Sequence, residues 1–183
     1  DCRQMDMDKY SPQLAAALTP ARLRHSLGVM QVMGEVAEVY GLDREQAMTA
    51  GLLHDAAKDF TPEQQEAGYR ACGYQLKHAV ERDYNLYLHG PVCAHVAERD
   101  YGVTDRLTLN AIKTHTAVDG DDFDHPLSWC LRFSDLLEPN RNWRDVPWLA
   151  KGLPRLRDAA FSGRLDEAAL LQYGWVDQWF TAF

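Results

Sequence analysis

The sequence is short of positive charge. Its 183 residues include 19 Lys and Arg against 27 Asp and Glu, which gives a formal net charge of −8 at pH 7. Proteins that bind nucleic acids present a basic face to the phosphate backbone, so we expect no nucleic-acid partner. A small anionic substrate remains compatible with this charge, because metal ions and a few cations can focus positive potential in a pocket.

Long apolar runs and closely paired cysteines are also missing. No stretch approaches the roughly 18 apolar residues that span a bilayer, so we expect no membrane partner. The absence of C-x-x-C spacing excludes a zinc knuckle and a thioredoxin-like motif. The four cysteines are Cys2, Cys72, Cys93 and Cys130. Cys93 and Cys130 lie in apolar helical patterns and are predicted to be buried thiols, which fits a reducing cytoplasm.

Sustained alternation of apolar and polar residues, the pattern of a half-buried strand, does not occur. Helical spacing dominates instead, and it predicts an all-α fold. Helices are predicted over about 20–40, 43–58, 61–72, 91–102, 104–116, 126–138, 146–160 and 166–180. Residues 73–88 follow neither pattern. We expect one domain over 1–183, with a core of about 20–141 and C-terminal helices of about 145–183 packed on it.

Two acidic residues stand in apolar helical surroundings. His54-Asp55 lies in the run Ala-Gly-Leu-Leu-His-Asp-Ala-Ala, and Asp135 lies in a helix that is nearly apolar all round. A buried carboxylate without a partner costs roughly several kcal/mol, so each acid requires a cation or a set of donors. For Asp135 the alternative to a metal ion is an ion pair with Arg132 or Arg141.

Three further histidines, distant from these acids in sequence, also lie on an apolar helical stripe or at a helix end. His25 is on an apolar stripe of the first long helix, His115 ends a helix, and His89 precedes a helix start. Taken singly, each fits an ordinary core or helix-end histidine. Taken with the acids, imidazole and carboxylate suit Fe, Mn, Zn or Co rather than Ca. Six ligands exceed the four of a tetrahedral ion, which indicates two metals with Asp55 bridging them.

The order H…HD…H…H…D resembles HD-domain metal phosphohydrolases. At finer grain it resembles the YqeK-type family of symmetrical bis(5′-nucleosyl)-tetraphosphatases, over residues from about 22 to 141. The matching stretches are Arg24-His25-Ser26-Leu27-Gly28-Val29, Leu52-Leu53-His54-Asp55-Ala56-Ala57-Lys58, Leu88-His89-Gly90-Pro91-Val92, Ile112-Lys113-Thr114-His115-Thr116 and Ser134-Asp135-Leu136-Leu137-Glu138-Pro139-Asn140-Arg141.

The resemblance implies an all-helical HD bundle with a two-metal site, usually iron, with Mn, Co or Zn as alternatives. It assigns one metal to His25, His54, Asp55 and Asp135, and the second to His89 and His115, with Asp55 shared. It also implies that Lys58, Thr116 and Arg141 contact the phosphates of a small nucleotide substrate. Family members are often dimers, so a homodimer is an expectation; the aromatic segment 175–183 would pack at its interface or within the chain.

The implied reaction is hydrolysis of diadenosine tetraphosphate to two ADP by a hydroxide that bridges the metals. Asp55, His54 and Lys58 are the predicted catalytic residues. Lys58 fits a solvated helix-end lysine equally well, and Arg141 fits an ion pair with Glu138 or Asp135. Rival functions are an HD-type nucleotidase or phosphodiesterase, and a metal-binding regulatory module without turnover.

Two departures from the family pattern affect the mouth of the site. Gly90 stands where alanine is commoner, and Thr116 is followed by Ala117-Val118 and then by an acidic loop over 119–124. Both departures leave the predicted metal ligands in place. They bear on the shape and charge of the substrate mouth, and hence on substrate identity.

Overall fold

The computed structural model describes residues 8–116 and 118–182, with side chains up to Trp175. The regular structure in this part of the chain is helical and includes no strand, which confirms the predicted all-α fold. The helices are α1 (Ser11–Ala17), α2 (Pro20–Val39), α3 (Arg44–Leu53), α4 (Pro62–Cys72), α5 (His89–Tyr101), α6 (Arg106–Thr114), α7 (Pro126–Leu137), α8 (Pro147–Phe161) and α9 (Leu165–Ala182).

Local signals in the sequence fix most helix ends. The Thr19 hydroxyl accepts the N–H of Arg22 ahead of Pro20, and Gly41, with φ of 62°, follows the end of α2. Thr61 forms a reciprocal capping box with Gln64 at the start of α4. Such caps satisfy N–H groups that the first helical turn leaves without partners. Short α1, which buries Leu14 completely, was not predicted.

The third helix ends earlier than its apolar pattern predicts. The expected end is about Lys58, whereas α3 ends at Leu53. Nδ1 of His54 lies 2.7 Å from the carbonyl oxygen of Gly51, and the Lys58 N–H bonds three residues back to the Asp55 carbonyl at 2.9 Å. The imidazole competes with the backbone for a helical carbonyl, and the chain continues in tight turns. The His-Asp pair therefore lies just beyond a helix end rather than on a helix face.

The ambiguous stretch before α5 consists of irregular helical turns. A 3₁₀ turn spans Ala79–Arg82, and a π-helical turn spans Tyr84–Leu88 and runs directly into α5. As a result α5 begins at His89, two residues before the predicted start at Pro91. Single π turns of this kind occur often at functional sites, and this one delivers His89 to the interior.

Close contact between α2 and α3 brings His54 and Asp55 next to His25. A Cβ added at Gly51 would lie 2.9 Å from Cα of Met30, so only glycine permits this approach of the two helices. The approach brings the end of α3 beside the middle of α2. His54 and Asp55 are consequently placed next to His25, about thirty residues away along the chain.

Helix α7 lies between two apolar clusters. Leu127, Cys130 and Leu131 belong to the main core, which collects buried residues from α1, α2, α3, α5 and α6. Trp129 and Phe133, on the other side of α7, pack in a second cluster with residues of α8 and α9 such as Leu156. The C-terminal helices thus cover a face of α7, the helix that carries Asp135.

Among the residues described, no helix is both long enough and apolar enough to cross a membrane. Cys72, Cys93 and Cys130 are free thiols, and the last two are buried, as predicted. Burial raises the pKa of the Cys93 thiol, which keeps it protonated. Cys2 lies outside the described residues.

Candidate active site

Five of the six predicted metal ligands lie together in the interior. His25 comes from the second turn of α2, His54 and Asp55 follow α3, His89 begins α5, and His115 follows α6. All five are at most 8% exposed. We call these five residues the cleft floor. Residues separated by up to 90 positions in sequence therefore form one buried polar cluster. Of these five residues, only His54 and Asp55 are adjacent along the chain.

The two oxygens of Asp55 face two different pairs of histidines. Oδ2 lies 3.8 Å from Nε2 of His25 and 3.6 Å from Nε2 of His54. Oδ1 lies 3.4 Å from Nε2 of His89 and 3.6 Å from Nε2 of His115. Two candidate metal-binding groups result, His25–His54–Asp55 and Asp55–His89–His115, and Asp55 belongs to both. This arrangement has the form of a bridging carboxylate.

Each histidine of the floor is oriented through its Nδ1 atom. Nδ1 of His54 lies 2.7 Å from the Gly51 carbonyl, and Nδ1 of His115 lies 2.6 Å from the Ile112 carbonyl. The corresponding atom of His89 lies 3.0 Å from the Tyr84 carbonyl. A carbonyl can only accept, so at His54 and His115 the proton resides on Nδ1 and the lone pair on Nε2. Histidines that bind metals are held in this way.

Glu138 plays the same part for His25. Its Oε1 lies 2.9 Å from Nδ1 of His25, and its Oε2 accepts the Asn140 N–H at 2.8 Å. A Cβ at Gly28 would collide with this carboxylate, so glycine makes room for it. Glu138 is 2% exposed. Sequence reasoning treated Glu138 as part of the family pattern and as an alternative ion-pair partner of Arg141; its position before Pro-Asn-Arg gave no sign that it reaches α2.

The Nε2 atoms are arranged for cations. Nε2 of His25 and of His54 are buried and have no hydrogen-bond partner within the described structure. Nε2 of His89 lies 3.2 Å from Nε2 of His115, close enough for one cation to contact both atoms. A buried lone pair without a partner is costly unless a positive charge lies beside it. Imidazole and carboxylate donors in this arrangement fit divalent metal ions.

The pKa values of Asp55 and His89 match this donor set. Burial raises the pKa of the Asp55 carboxyl, but the positive potential of His54 and the other surrounding histidines outweighs it, so the pKa falls well below its usual range. Burial lowers the pKa of His89 to about 3. Burial also lowers the pKa of His54, yet the charges of Asp55 and Asp135 reverse that effect and raise it. Asp55 and His89 thus already have the ionised and neutral forms that metal ligands require, whereas a metal would have to compete with a proton at His54.

Asp135 lies at the edge of the cluster. Its Oδ1 is 3.0 Å from Nε2 of His25 and 3.7 Å from Nε2 of His54. The same oxygen pairs with Arg141 at 2.6 Å, and the side chain is 22% exposed. The structure thus contains both the proximity that a ligand needs and the ion pair with Arg141 that was the alternative. Arg132, the other alternative partner of Asp135, forms no ion pair with it.

A ring of cations lies above the floor. Arg22 donates to Asp55 Oδ2 at 3.0 Å, Lys58 donates to the Asn85 carbonyl and lies 3.0 Å from Nδ1 of His89, and Arg141 pairs with Asp135. We call Arg22, Lys58 and Arg141 the cleft rim. Burial lowers the pKa of Lys58. Lys58 is thus a partly buried side chain directed into the cleft, which disagrees with the solvated helix-end alternative.

Arg22 was missed by sequence reasoning. It stands in the first turn of α2, where a basic residue carries no distinctive signal, and only the fold brings it to Asp55. Thr116, a predicted phosphate contact, is buried in the cleft wall and its hydroxyl donates to the Tyr87 carbonyl at 2.7 Å. The unusual Gly90 fits against this threonine, since a Cβ there would collide with Thr116 Oγ1 and lie 2.5 Å from the Lys113 carbonyl.

Two clefts meet at the cluster. The first, of about 1100 Å³ including its open mouth, exposes Asp55, His89 and His115 and extends toward aromatic residues of α7 and α9. The second, of about 860 Å³ measured in the same way, is polar and includes His25, Arg24 and Asn142. Arg22 and Arg141 line both clefts. The floor is therefore accessible from two sides.

The helical bundle and its histidine–aspartate floor define a class of protein, the HD-type phosphohydrolases, with residues fit to bind divalent metal ions. The model of the HD domain family matches residues 22–128. The chain belongs to the HD domain family, and the resemblance seen in the sequence is confirmed.

Relatives extend the likeness over most of the chain. A protein of Staphylococcus aureus named "Bis(5′-nucleosyl)-tetraphosphatase, symmetrical" is 31% identical over 89% of this chain and 79% of its own length. A Bacillus subtilis protein of the same name is 34% identical over 73% of this chain and 70% of its own. A crystal structure described as a predicted HD superfamily hydrolase involved in NAD metabolism, from Clostridium acetobutylicum, has a TM-score of 0.82, is 30% identical and covers 97% of this chain and 88% of its own.

Proposed function

We propose that this hydrolase cleaves dinucleoside polyphosphates symmetrically, converting diadenosine tetraphosphate to two ADP. The observation that carries the proposal is the bridging position of Asp55, with one histidine pair at each oxygen, below a rim of three cations. The names of the Staphylococcus and Bacillus relatives support the choice of substrate.

Two metal ions are part of this proposal, with iron preferred and Mn, Co or Zn as alternatives. His25, His54, Asp55 and Asp135 would hold one ion, and Asp55, His89 and His115 the other. When bound, the two ions would supply Lewis acidity that makes a water molecule available as a hydroxide nucleophile near neutral pH.

The rim residues would act on the phosphates. Arg22, Lys58 and Arg141 place three positive charges beside the floor, where charge develops on the phosphoryl oxygens during transfer. Thr116 adds a buried hydroxyl in the same cleft wall. Attack at an internal phosphorus releases a nucleoside diphosphate, which is a good leaving group, so the reaction does not need a strong general acid.

The two clefts suit a substrate with two equal arms. Symmetrical cleavage places the reacting phosphorus near the middle of the molecule, so a nucleoside diphosphate must extend to each side. The floor lies where the two clefts meet, and Arg22 and Arg141 belong to both. A substrate with one arm, such as a nucleoside triphosphate, would leave one cleft empty.

A substrate panel tests this function. Metal-loaded protein would be offered diadenosine tetraphosphate, dGTP, dGDP and cyclic dinucleotides, with products separated by ion-exchange chromatography. We expect ADP as the sole product from the tetraphosphate, at a kcat/KM well above that of the others. Preferred cleavage of dGDP or of a cyclic dinucleotide would instead identify a nucleotidase or a phosphodiesterase. Metal content without turnover on any of them would identify a regulatory module.

Assembly and location remain proposals as well. A homodimer and a reducing cytoplasm agree with the family and with the three free thiols. The aromatic segment proposed for an interface begins at Trp175, whose ring packs against Gly152 of α8. The side chains that follow it lie outside the described residues. Light scattering of the purified chain tests the dimer directly.

A further inference from the structure

The outer part of the first cleft is aromatic. Phe123 comes from the acidic loop, Trp129 from α7 and Tyr173 from α9. The rings of Trp129 and Tyr173 meet edge to face at 5.1 Å, and those of Phe123 and Trp129 at 5.9 Å. Tyr173 is 45% exposed, so part of its ring is free to receive a ligand. The mechanism described above uses none of these rings.

A buried cation lies among the rings. The Arg132 guanidinium is 4.0 Å from the Trp129 ring centroid and 4.1 Å from that of Phe123. Arg132 is 3% exposed, and across residues 8–116 and 118–175 it forms no ion pair. It donates to the Phe123 carbonyl at 2.6 Å and weakly to the Thr114 carbonyl at 3.4 Å. Its Nε has no hydrogen-bond partner in the part of the chain that the structure describes.

A buried guanidinium without a carboxylate is costly, and aromatic rings offset that cost only in part. Burial accordingly lowers the pKa of Arg132 to about 10. Buried groups with perturbed pKa values of this kind cluster at functional sites. Arg132 lines the same cleft as the floor, so a ligand that reaches the floor can also reach this residue.

An unsatisfied acceptor lies in the same wall. Oε1 of Gln172 is buried and has no hydrogen-bond partner among the described residues, and the side chain is 9% exposed. This end of the cleft therefore offers aromatic faces, a guanidinium and a free amide oxygen together. The matching ligand has a flat π-face and an edge that carries both acceptors and donors.

We propose that Arg132, Gln172 and Tyr173 form the subsite for a purine base of the substrate. The base stacks on Tyr173, Arg132 faces a ring nitrogen or carbonyl acceptor, and Gln172 accepts from an exocyclic amino group. Arginine and glutamine pair with purine edges in this manner, and base stacking on aromatic side chains tolerates different bases. A phosphate group would satisfy Arg132 but has no face to stack and no donor for Gln172. This inference rests on the proposed function.

The test compares a ligand with a base and one without. Binding of ADP and of inorganic tripolyphosphate to metal-loaded protein would be measured by calorimetry for wild type, Tyr173→Ala, Gln172→Leu and Arg132→Met. We expect each substitution to weaken ADP binding about ten-fold, the usual loss for one stacked or paired base. Tripolyphosphate, which lacks a base, should bind within about two-fold of wild type in all variants.

Leu170→Ala is the matched control, because Leu170 is 73% exposed on the same helix and does not line the cleft. It should leave both affinities unchanged. Since Arg132 also braces the acidic loop, Tyr173→Ala, at an exposed position, decides the matter if Arg132→Met fails to fold. Unchanged ADP binding in Tyr173→Ala, or equal losses for both ligands, would overturn the base subsite.

Failure of the proposed reaction can be distinguished from failure of the proposed base subsite. If wild-type protein binds ADP through its base as described but does not cleave diadenosine tetraphosphate, the subsite stands and the proposed reaction is wrong. If it cleaves the tetraphosphate while Tyr173→Ala binds ADP like wild type, the reaction stands and the subsite is wrong.

Discussion

The cleft floor and the cleft rim hold their charged groups by different means. On the floor, three histidines are oriented by backbone carbonyls and His25 by the buried Glu138. On the rim, Arg22 and Arg141 are held by the very acids of the site, Asp55 and Asp135. A histidine held by a backbone carbonyl keeps that partner, whereas an arginine in an ion pair can exchange its carboxylate for another anion. Under the proposed function, the floor would bind ions in a fixed geometry, and the rim would transfer its charge to an arriving phosphate.

Substitution of Asp55 by alanine should have the largest effect. It removes the one group shared by both candidate metal groups, so both ions should be lost and activity should fall by roughly three orders of magnitude or more. Elemental analysis and the tetraphosphate assay measure the two effects. Asp121→Ala, in the exposed acidic loop, should change neither. Full activity of Asp55→Ala with its metals still bound would defeat the assignment of the floor.

A methyl group at Gly90 should disturb the floor through packing alone. The added Cβ collides with Thr116 and the Lys113 carbonyl at the point where α5 meets the end of α6. We expect Gly90→Ala to lower the free energy of unfolding by about 1–3 kcal/mol, measured by urea denaturation. Gly174→Ala is the control, since no described atom lies within 4 Å of its Cβ position and helical alanine is favourable. Equal stability of the two variants would contradict the close contact.

Glu138→Gln should weaken the floor at one side only. Loss of the charge behind His25 makes that imidazole a poorer ligand, and changes of this type cost about 10–100-fold in metal affinity. Competition titration with a chelator should show one weakened ion and one that is unaffected. Glu63→Gln, exposed in the first turn of α4, serves as control. Equal weakening of both ions would show that Glu138 supports the bundle rather than one ligand.

A rim substitution should spare the metals. Lys58→Met removes a positive charge that faces His89 but leaves all floor residues in place. We expect kcat/KM for the tetraphosphate to fall about ten-fold with unchanged metal content. The exposed Lys151→Met provides the comparison. Loss of metal in Lys58→Met would show that Lys58 supports metal binding, which would contradict separate roles for the rim and the floor.

Much of the fold could be predicted because its signals are local. The caps at Thr19 and Thr61 and the stop at Gly41 lie within a few residues of the ends they set. The end of α3 could not be predicted, because a side chain, His54, took a carbonyl that the helix pattern assigns to the backbone. The turn over 84–88 was missed for a related reason: a π turn has no recognised sequence period.

The residues of the site likewise divide into those that the sequence reveals and those that only contacts between distant residues reveal. His25, His54, Asp55, His89 and His115 were found because acids and imidazoles are conspicuous in apolar helices and because their order resembles a known family. Glu138 and Arg22 were missed as functional residues, since each acts on a partner from another helix. Phe123, Arg132, Gln172 and Tyr173 come from a loop and two helices, and no spacing in the sequence connects them.

By itself the sequence determined the helical class, most helix limits and the identity of the chemical groups, because these follow from periodicity, capping and the cost of burying charge. Only the tertiary structure decided which atoms face each other: the two oxygens of Asp55 toward two histidine pairs, and the base-sized aromatic wall beyond them. The physical reason is that contacts between distant residues depend on how helices pack, and packing depends on the shapes of all the residues between them.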